Sequence, residues 1–598
     1  MKLSKIYSNK LGIFGPIEFG PGLNVVLAEI RLPDNKKKDT HNLGKTTFGR
    51  LIDFCLLSSR DKNFFLFRHE DSFKGFEFFL EVELLDGGFV TIRRRVDEAT
   101  KISFKRHQEG KQDLTNLGDA GWDHLEVPFE RARELLDGIL DLRSLKPWSY
   151  RKGLGYLLRS QDDFRDVFHL RKFASSHSDW KPFLAHLLGF NAGLIVDHYR
   201  KDMEIEKKLA VTQTIKSELG GALEDTSKIE GVLLLKQKEA EKKQKLLDTF
   251  DFRSQDKEKT KHLVNEIDSS ISRLNGERYS LTQNRKKVAT SLEEDQILFD
   301  PDEAEHLFKE AGVLFQGQIK RDFSQLIAFN KEITEERRKY LREDLADIDS
   351  ELKRVNGELN ELGKQRSTFL SFLSETDIFN KYKQVSGDLV TLMADITSLE
   401  RQRGFLQRLQ ELRKEVRTLS EEKDKLQTQI EDDCEKQNSD KDSMFSKIRL
   451  SFSEIVEEVI DRKALLSVPI NREGHLEFKA EILDDSGNTT SADKGHTYQK
   501  LLCIAFDMAI IRAHNEEMFP RFIFHDGVFE SLDDRKKDNL LAVIRRYTEF
   551  GMQHIITLID SDLPTHKATD PQAFEEEEII LRLHDEGDDG RLFRMKGW

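Results

Sequence analysis

The alternation of apolar and polar positions divides the chain into three parts. From residue 1 to about 198, short apolar runs typical of strands alternate with amphipathic helical patterns. The run 22–27 predicts a strand, and residues 78–95 predict a hairpin around the turn at Asp86. From about 199 to 437, Gly and Pro become rare and Glu, Lys, Arg, Gln and Leu dominate. A mixed pattern returns from 438 to 598, so both ends are predicted to be α/β lobes.

The middle part carries heptad spacing, the pattern typical of coiled coils. Apolar residues follow 4-3-7-7-4 spacing in a first block, with Arg278 and Arg285 at the missing positions, and 4-3-4-3 spacing in a second block. The first block comprises Ile267, Ile271, Leu274, Leu281, Val288 and Leu292, and the second comprises Ile348, Leu352, Val355, Leu359 and Leu362.

A break at Asp300-Pro301-Asp302 and a more apolar segment separate the two blocks. This predicts an antiparallel hairpin with a first coiled-coil arm over 199–299, a tip over 300–329 and a second arm over 330–437. The polar stretch 250–256 indicates that the first arm is jointed. A compact helical bundle is the alternative.

The C-terminal lobe, 438–598, has its own sequence of predicted elements. Residues 448–465 and 498–514 predict helices, whereas 468–483, 521–526 and 554–559 predict strands. The last segment, 579–598, predicts a terminal hairpin.

Composition agrees with a chain that is helical but largely solvated in its middle part. Charged residues make up 34% and hydrophobic residues 37%, against about 25% and about 45–50% in average globular chains. The net charge of −14 excludes nucleic-acid binding through overall charge, although local basic faces remain possible. Three distant cysteines support neither a disulfide framework nor a zinc site. Without an apolar leader or a membrane-length apolar run, we expect a cytoplasmic protein with no membrane partner.

A phosphate-binding pattern occurs near the N-terminus. The strand 24–28, the turn 43–47 and the apolar helix 48–57 form the context that a P-loop requires. Here Lys45 would bind the β- and γ-phosphates, and Thr46 would bind Mg²⁺. The other nucleotide-binding candidates are Asn42, Gly44 and Thr47. The first glycine of the full pattern is replaced by Asp39, so an ordinary helix N-terminus is the alternative.

A second half-site lies far away in the sequence. The buried-strand pattern 522–526 ends in Asp526, as a Walker B strand would, and Asp533 follows it in Ser531-Leu-Asp533. Between the two half-sites, Gln161 follows an apolar run, in the position of a Q-loop.

With these two half-sites on either side of a helical insertion, the chain resembles the SMC and RecF/RecN superfamily of coiled-coil ABC ATPases. The segments 496–507 (HTYQKLLCIAFD) and 525–531 (HDGVFES) look most like SMC-like subunits of prokaryotic ABC three-component and Lamassu-type defence operons. The resemblance implies an α/β ABC-type ATPase head formed by the N- and C-terminal lobes, with an inserted antiparallel α-helical coiled-coil hairpin.

The resemblance also implies ATP and Mg²⁺ as cofactors and a homodimer whose two heads enclose two nucleotides. Gln161 would sense the γ-phosphate and, with Thr46 and Asp526, complete the metal site. In the segment that takes the place of the signature loop, 493–499, Gly495 is the expected backbone donor, although the usual Ser-Gly-Gly core is missing.

Two departures bear on catalysis. Gly527 stands where the family has its catalytic glutamate, and Asp560 and Ser561 stand where a switch histidine is expected. Glu530 is the candidate general base, with Asp533 as the second catalytic candidate. The expectation is slow hydrolysis of ATP to ADP and phosphate, because loss of a general base costs about 100-fold to 10,000-fold.

Two basic clusters are candidates for contacts with the DNA backbone. They are Lys36, Lys37 and Lys38, and Arg93, Arg94 and Arg95. A solvated loop and a solvated strand face are the alternatives.

The expected function is an ATPase that dimerises on ATP and clamps or senses double-stranded DNA. The resemblance implies that it is the sensor of an anti-phage or anti-plasmid complex with operon-encoded accessory and nuclease-like effector subunits. Two rivals stay open: an ATP-gated scaffold with little hydrolysis that controls partner subunits, and a coiled-coil structural protein with a decayed nucleotide site.

Overall fold

The computed structural model of the chain divides into two compact units. The α/β unit comprises residues 1–202 and 422–598, and the helical unit comprises residues 203–421. Within these limits the structure describes residues 1–32, 43–170, 176–219, 226–249, 255–293, 317–371, 377–484, 486–489, 495–563 and 574–597.

The elements follow one another along the chain in three groups. The first contains β1 (Lys2–Ser8), β2 (Ile17–Glu18), β3 (Leu23–Glu29), α1 (Lys45–Cys55), α2 (Phe65–Arg68), α3 (Glu70–Phe73), β4 (Glu77–Glu83), β5 (Phe89–Arg95), β6 (Lys101–His107), β7 (His124–Pro128), α4 (Phe129–Leu140), α5 (Tyr150–Leu157), β8 (Leu158–Arg159) and α6 (His177–Leu187). The second contains α7 (Ala192–Leu219), α8 (Thr226–Asp248), α9 (Gln255–Glu293), α10 (Gly317–Ser371) and α11 (Asp377–Ser439). The third contains α12 (Met444–Ile460), β9 (Ala464–Ser467), β10 (Lys479–Ile482), α13 (His496–Ala513), β11 (Phe522–Asp526), α14 (Asp534–Glu549), β12 (Gln553–Ile559) and β13 (Ile579–His584).

Strands from both ends of the chain form one parallel sheet, in the order β13-β3-β12-β11-β8. β3, β11 and β12 are buried along nearly their whole length. Their continuous apolar runs are the pattern expected of strands covered on both faces. Because β3 pairs with β12, the N- and C-terminal segments fold as one unit.

A second, antiparallel sheet has the order β2-β1-β4-β5-β6-β7 and contains the predicted hairpin, now β4 and β5. Helix α1 packs between the sheets, because it contacts β4 and β5 on one side and β11 and β12 on the other. At Gly49 a Cβ atom would lie 2.4 Å from the ring of Phe524, so the glycine allows α1 to approach β11 closely.

The structure corrects the predicted terminal hairpin over 579–598. β13 does not pair with a following strand; it extends the parallel sheet by pairing with β3. Residues 588–590 form a 3₁₀ turn, and Leu592 and Phe593 are buried in the core. Burial of this apolar pair against the α/β unit takes the place of a hairpin partner.

The α/β unit also includes the last turns of α11, where Ile430 and Cys434 are buried in the same core. The unit therefore resumes at residue 422, before the lobe boundary expected at 438.

In the helical unit, α9 and α10 lie antiparallel, as the heptads predict. In the ion pairs between them, residue numbers fall along α9 as they rise along α10, which is the order expected of antiparallel helices. The ion pairs are Arg285–Asp349 at 2.5 Å, Glu277–Arg354 at 2.8 Å and Asp268–Arg366 at 2.6 Å. Arg285, at a position that the heptad leaves polar, thus contacts the partner helix.

The chain folds back between α10 and α11. Arg366 donates a hydrogen bond to Ser386 at 2.6 Å, although twenty residues of straight helix would separate them by about 30 Å. Arg401 of α11 likewise donates to Ser280 of α9 at 3.1 Å.

On another side, α8 pairs antiparallel with α11 through Lys236–Asp395 and Lys243–Asp388. An apolar cluster joins the facing ends of all four helices and consists of Leu247, Val264, Leu370 and Tyr382. Four helices thus lie side by side here, with the antiparallel pairs α8–α11 and α9–α10 next to one another.

The predicted tip falls partly outside the described residues. Residues 300–316 are not described, and 317–329 belong to α10. None of the described helices combines the length and the apolar character needed to cross a membrane.

Candidate functional site

The candidate site lies at the carboxyl ends of the parallel strands. β3 precedes the segment that leads to α1, β8 precedes Gln161, β11 ends in Asp526 and β12 is followed by the 3₁₀ turn Asp560–Asp562. Open parallel sheets bind ligands in the crevice outside these ends. The fold therefore directs four separate parts of the sequence towards one place.

The N-terminus of α1 supplies backbone donors. Gly44 caps the helix in the left-handed region, with φ of 106°, which a glycine adopts without steric cost. The first hydrogen bond is donated by Phe48 N–H to the Gly44 carbonyl at 2.9 Å. The N–H groups of Lys45, Thr46 and Thr47 come before it and are oriented as in an anion-binding helix terminus.

Thr46 and Asp526 are in direct contact although 480 residues separate them in sequence. The Thr46 hydroxyl donates to Asp526 Oδ2 at 2.6 Å. The other carboxylate oxygen, Oδ1, accepts from the Thr557 hydroxyl at 2.5 Å. Thr557 Oγ1 also accepts from Gly527 N–H at 3.0 Å. Asp526 is fully buried, so these hydroxyls fix the direction of both its oxygens.

Lys45 lies among acidic groups. Burial lowers the pKa of Lys45, while the carboxylates of Glu530, Asp526 and Asp562 oppose this by favouring the charged ammonium. An excess of carboxylates around one lysine would repel a free phosphate. A phosphate accompanied by a divalent cation would suit this surrounding better, because the cation offsets the acidic charge.

A second group of contacts surrounds Glu530. Gln161 donates through Nε2 to Glu530 Oε1 at 2.6 Å. Lys500 of α13 donates through Nζ to the Gly527 carbonyl at 2.7 Å and lies 3.3 Å from Glu530 Oε2. Each carboxylate oxygen of Glu530 therefore has a partner from a different part of the chain.

Gly527 makes room for the Glu530 side chain. A Cβ atom at Gly527, whose φ is 70°, would lie 2.6–2.8 Å from the Glu530 carboxylate. The Glu530 carboxylate thus occupies the space that the first side-chain atoms of a glutamate at position 527 would need. Such a placement lets Glu530 present a carboxylate close to Asp526 without a glutamate at 527.

A buried polar network supports the segment that carries Gln161. Arg159 forms a two-point ion pair with Asp507, at 2.6 and 2.7 Å, with neither side chain exposed. Its other donors reach the carbonyls of Asp163, Asp166 and Val167. The two-point geometry is the strong form of an arginine–carboxylate contact, and it holds the turn after Gln161 against α13.

The network continues through two buried histidines. His525 contacts Asp507 at 3.1 Å and His554 at 3.0 Å. Burial is the main cause that lowers the pKa of both histidines, and the shift of His554 is large. Both rings are therefore neutral at pH 7 and serve as hydrogen-bonding groups next to the Asp526 strand.

The residues present fit a nucleotide with Mg²⁺. Oxygen ligands suit Mg²⁺, and the Thr46 hydroxyl and Asp526 carboxylate converge at the start of α1. The helix N-terminus and Lys45 would hold phosphate groups. When bound, the cation would neutralise phosphate charge.

Two candidates lie apart from these contacts. Asp533 caps α14 by accepting from Lys536 N–H at 3.0 Å, and its pKa is lowered chiefly by the Lys536 side chain. Its hydrogen bonds thus lie within its own helix, and its assignment as a catalytic group stays a prediction. Gly495 is exposed at the start of α13, two residues before Thr497, whose hydroxyl contacts the Ser531 carbonyl at 3.3 Å.

The arginine cluster proposed for DNA contact is corrected by burial. Arg94 is 1% exposed and donates to the carbonyls of Phe54, Ser58 and Ala99. Arg93 is buried above the Trp122 ring, and the Arg95 guanidinium is paired with glutamates. Arg93 and Arg94 thus satisfy acceptors within the protein, whereas Arg95 is partly exposed and its contact with DNA stays a prediction.

Other candidates lie outside the described residues. They are Lys36, Lys37, Lys38 and Asn42.

The sequence analysis did not identify Lys500, Thr557 or Asp562. Thr557 and Asp562 could have been sought at or just after the end of the predicted strand 554–559, where ligands of a parallel sheet gather. Lys500 had a weaker signal, a lysine within an apolar helix, since buried lysines are rare unless paired.

Comparisons with known proteins give a limited picture. A family model described as "Uncharacterised protein conserved in bacteria (DUF2326)" matches residues 455–597. No curated protein sequence matches the chain.

Among solved structures, the chain is similar to the Smc head domain with a coiled coil and joint from Pyrococcus yayanosii. The identity is 14% and the TM-score 0.34, over 94% of this chain and 92% of that chain. It is also similar to the Smc head domain with an extended coiled coil from Pyrococcus furiosus, bound to the C-terminal domain of ScpA. There the identity is 12% and the TM-score 0.33, over 94% and 90%.

Proposed function

We propose that this protein is an SMC-like ATPase whose α/β unit is an ABC-type head that binds ATP and Mg²⁺. The observation that carries this proposal is the 2.6 Å hydrogen bond from Thr46 to Asp526. It joins a helix N-terminus after one parallel strand to a carboxylate at the end of another, which is the arrangement of a P-loop and a Walker B aspartate.

The residues of the chain have separate roles in this proposal. Lys45 and the first N–H groups of α1 bind the phosphates, and Thr46 and Asp526 hold the cation. Gln161 links the nucleotide site to Glu530 through its 2.6 Å hydrogen bond. Glu530 acts as the general base for an attacking water, with Lys500 and Gln161 holding its carboxylate.

Turnover is expected to be slow, because Glu530 is already engaged by two donors. Slow chemistry still permits a switch, since a nucleotide that binds the closed pair of heads better than the separate heads shifts their populations.

The wider proposal is that two heads join on ATP and that the dimer clamps or senses double-stranded DNA. It would act as the sensor of a defence complex, in the cytoplasm, with accessory and effector subunits. Support for this comes from the family resemblance of the segments 496–507 and 525–531. The DNA contacts would have to come from residues other than the buried Arg93 and Arg94.

One observation favours the scaffold alternative, in which ATP binding alone controls partner subunits. Asp560 and Ser561 replace the switch histidine, and Asp560 accepts a hydrogen bond from the Ile30 N–H at 3.1 Å. This position therefore serves the backbone of the strand end and offers no imidazole to a nucleotide.

The experiment that tests the proposal measures nucleotide binding and ATP turnover by the purified full chain, with and without linear double-stranded DNA. Lys45→Ala is the test variant, and Lys10→Ala, an exposed lysine in the same unit, is the matched control. We expect Lys45→Ala to abolish Mg²⁺-dependent ATP binding and Lys10→Ala to leave it unchanged.

The outcomes separate the alternatives. Binding and turnover that are both lost in Lys45→Ala support the ATPase. Binding without measurable turnover supports the scaffold. ATP binding that is equal in the unmodified chain and Lys45→Ala would overturn both.

A further inference from the structure

A cluster of potential metal ligands lies in the α/β unit and shares no residue with the nucleotide site. His198 and Asp202 stand four residues apart on α7, so both side chains project from one face of the helix. His475 comes from the turn between β9 and β10.

The turn holds His475 in place. Asn471 Oδ1 accepts from the N–H groups of Glu473 and His475, each at 3.0 Å. Gly474 has a positive φ of 84°. A Cβ atom added at Gly474 would be only 2.9 Å from His198 Nε2. A glycine is therefore needed both for the turn and for the close approach of the His198 ring.

The spacing of the three side chains suits one small cation. His475 Nε2 lies 3.1 Å from Asp202 Oδ2, and His198 Nδ1 lies 3.9 Å from the same oxygen. One ligand atom from each of the three residues lies within 4.8 Å of the others. The ligand atoms of a tetrahedral zinc ion lie about 2.0–2.1 Å from the metal and therefore about 3.3 Å from one another. Small side-chain movements would bring the three ligand atoms to this spacing.

Two ring nitrogens in the cluster are buried without a hydrogen-bond partner. They are Nε2 of His198, a residue that is 1% exposed, and Nδ1 of His475. The nitrogens that face Asp202 are the other two, Nδ1 of His198 and Nε2 of His475. Burial of a polar atom with no partner is unfavourable.

Lys423 contacts only one of the two carboxylate oxygens of Asp202. Its ammonium lies 2.5 Å from Asp202 Oδ1, which leaves Oδ2 directed at the histidines. Orientation of a ligating carboxylate by an outer partner is a common feature of metal sites.

We propose that His198, Asp202 and His475 bind a divalent transition-metal ion of the zinc class, with one position left to solvent or a further ligand. Two imidazoles and a carboxylate suit zinc and neighbouring first-row metals better than Mg²⁺ or Ca²⁺, which prefer oxygen ligands. The ion would tie the first turns of α7 to the 471–475 turn. This inference does not depend on the proposed ATPase function.

The first experiment uses the untagged full chain after treatment with a chelator and removal of the chelator. Zn²⁺ is titrated in competition with a chromophoric chelator, and Co²⁺ serves as a spectroscopic probe of the coordination. We expect one tightly bound equivalent and Co²⁺ absorption bands of a low-coordinate nitrogen and oxygen site. Binding of less than one equivalent, or only weak binding at many sites, would overturn the proposal.

The second experiment compares variants. Asp202→Asn keeps the size of the side chain, and His475→Ala removes a ligand from the turn. We expect each to weaken Zn²⁺ binding at least about 10-fold. His262→Ala is the matched control, because His262 and Glu266 form an exposed i,i+4 pair with 77% and 63% exposure.

Two further measurements distinguish a variant that misfolds from a variant that folds but has lost a metal ligand. Circular dichroism without metal should be the same for Asp202→Asn and the unmodified chain, and Zn²⁺ should raise the Tm of the unmodified chain and not that of Asp202→Asn. If His475→Ala fails to fold, the comparison of Asp202→Asn with the unmodified chain still tests whether the cluster binds Zn²⁺. Equal Zn²⁺ affinity in the unmodified chain and Asp202→Asn would show that the cluster does not bind the ion.

Discussion

The carboxylate of Glu530 lies beside Gly527, in space that a side chain at residue 527 would enter. A Cβ atom there would be 2.6 Å from Glu530 Oε1 and 2.7 Å from Cδ. The glycine follows Asp526 directly, so the two acidic groups reach the same edge of the sheet from different backbone positions.

Gly527→Ala should lower both stability and ATP turnover. The left-handed backbone costs a residue with a Cβ about 1–2 kcal/mol, and the added methyl group would displace Glu530. Gly551→Ala is the control, since Gly551 also has positive φ, 87°, but has nothing within 4 Å of the added atom. We expect both variants to lower the Tm and only Gly527→Ala to lose turnover. Equal turnover in the two variants would contradict a role for the Glu530 position.

Glu530→Gln should reduce turnover by about 100-fold to 10,000-fold if Glu530 is the general base, with ATP binding retained. Asp533→Asn is compared with it, because asparagine also caps helices well and the contacts of Asp533 lie within α14. Steady-state turnover and equilibrium binding of a fluorescent ATP analogue measure both. A large loss in Asp533→Asn with none in Glu530→Gln would reverse the assignment.

Thr557→Val should destabilise the α/β unit by about 1–3 kcal/mol, because it leaves a buried Asp526 oxygen without its hydroxyl donor and removes one of the two acceptors of the Gly527 N–H. Thr557→Ser retains the hydroxyl and should recover most of this loss. Chemical denaturation of the full chain measures the difference. The idea would be falsified if valine and serine were equally stable.

Stability should fall as the pH drops below about 6.5, the ordinary pKa of histidine. The pKa of His554 is well below 6.5 in the folded protein, mainly through burial. Between the two pKa values the unfolded chain binds a proton that the folded chain does not, so acid favours unfolding. Denaturation at pH 7.5 and 5.5 should show a smaller change in His554→Gln than in the unmodified chain. An identical change in stability between the two pH values in both proteins would exclude His554 as a source of the pH dependence.

The fold-back of the helical unit can be checked by cross-linking. Cysteines introduced at Ser280 and Arg401, whose side chains are hydrogen-bonded at 3.1 Å, should be joined by a short bis-maleimide cross-linker, because the length of the arginine side chain keeps the two Cβ atoms too far apart for a direct disulfide. The native cysteines, Cys55, Cys434 and Cys503, are buried. A cysteine at Thr418, about 25 Å further along a straight helix, replaces the one at Arg401 in the control pair. A helical unit with two extended arms would give no cross-link at 280 and 401.

The sequence by itself determined the local elements and the chemistry of the site. Apolar runs predicted β3, β11 and β12, and the segment Gly44-Lys45-Thr46 and the strand end at Asp526 were recognisable because phosphate and metal binding require particular residue types in a strand-to-helix context. Heptad spacing likewise predicted that α9 and α10 pair.

Only the tertiary structure decided which distant residues meet. The pairing of β3 with β12 places Thr46 against Asp526, and burial turns Arg93 and Arg94 from DNA candidates into internal donors. Heptads give the buried face of a helix but not where the chain reverses, because the period is the same in an extended arm and in a folded bundle. The positions of Lys500 beside Glu530, and of His475 beside His198, likewise depend on contacts between segments far apart in sequence, which no local pattern encodes.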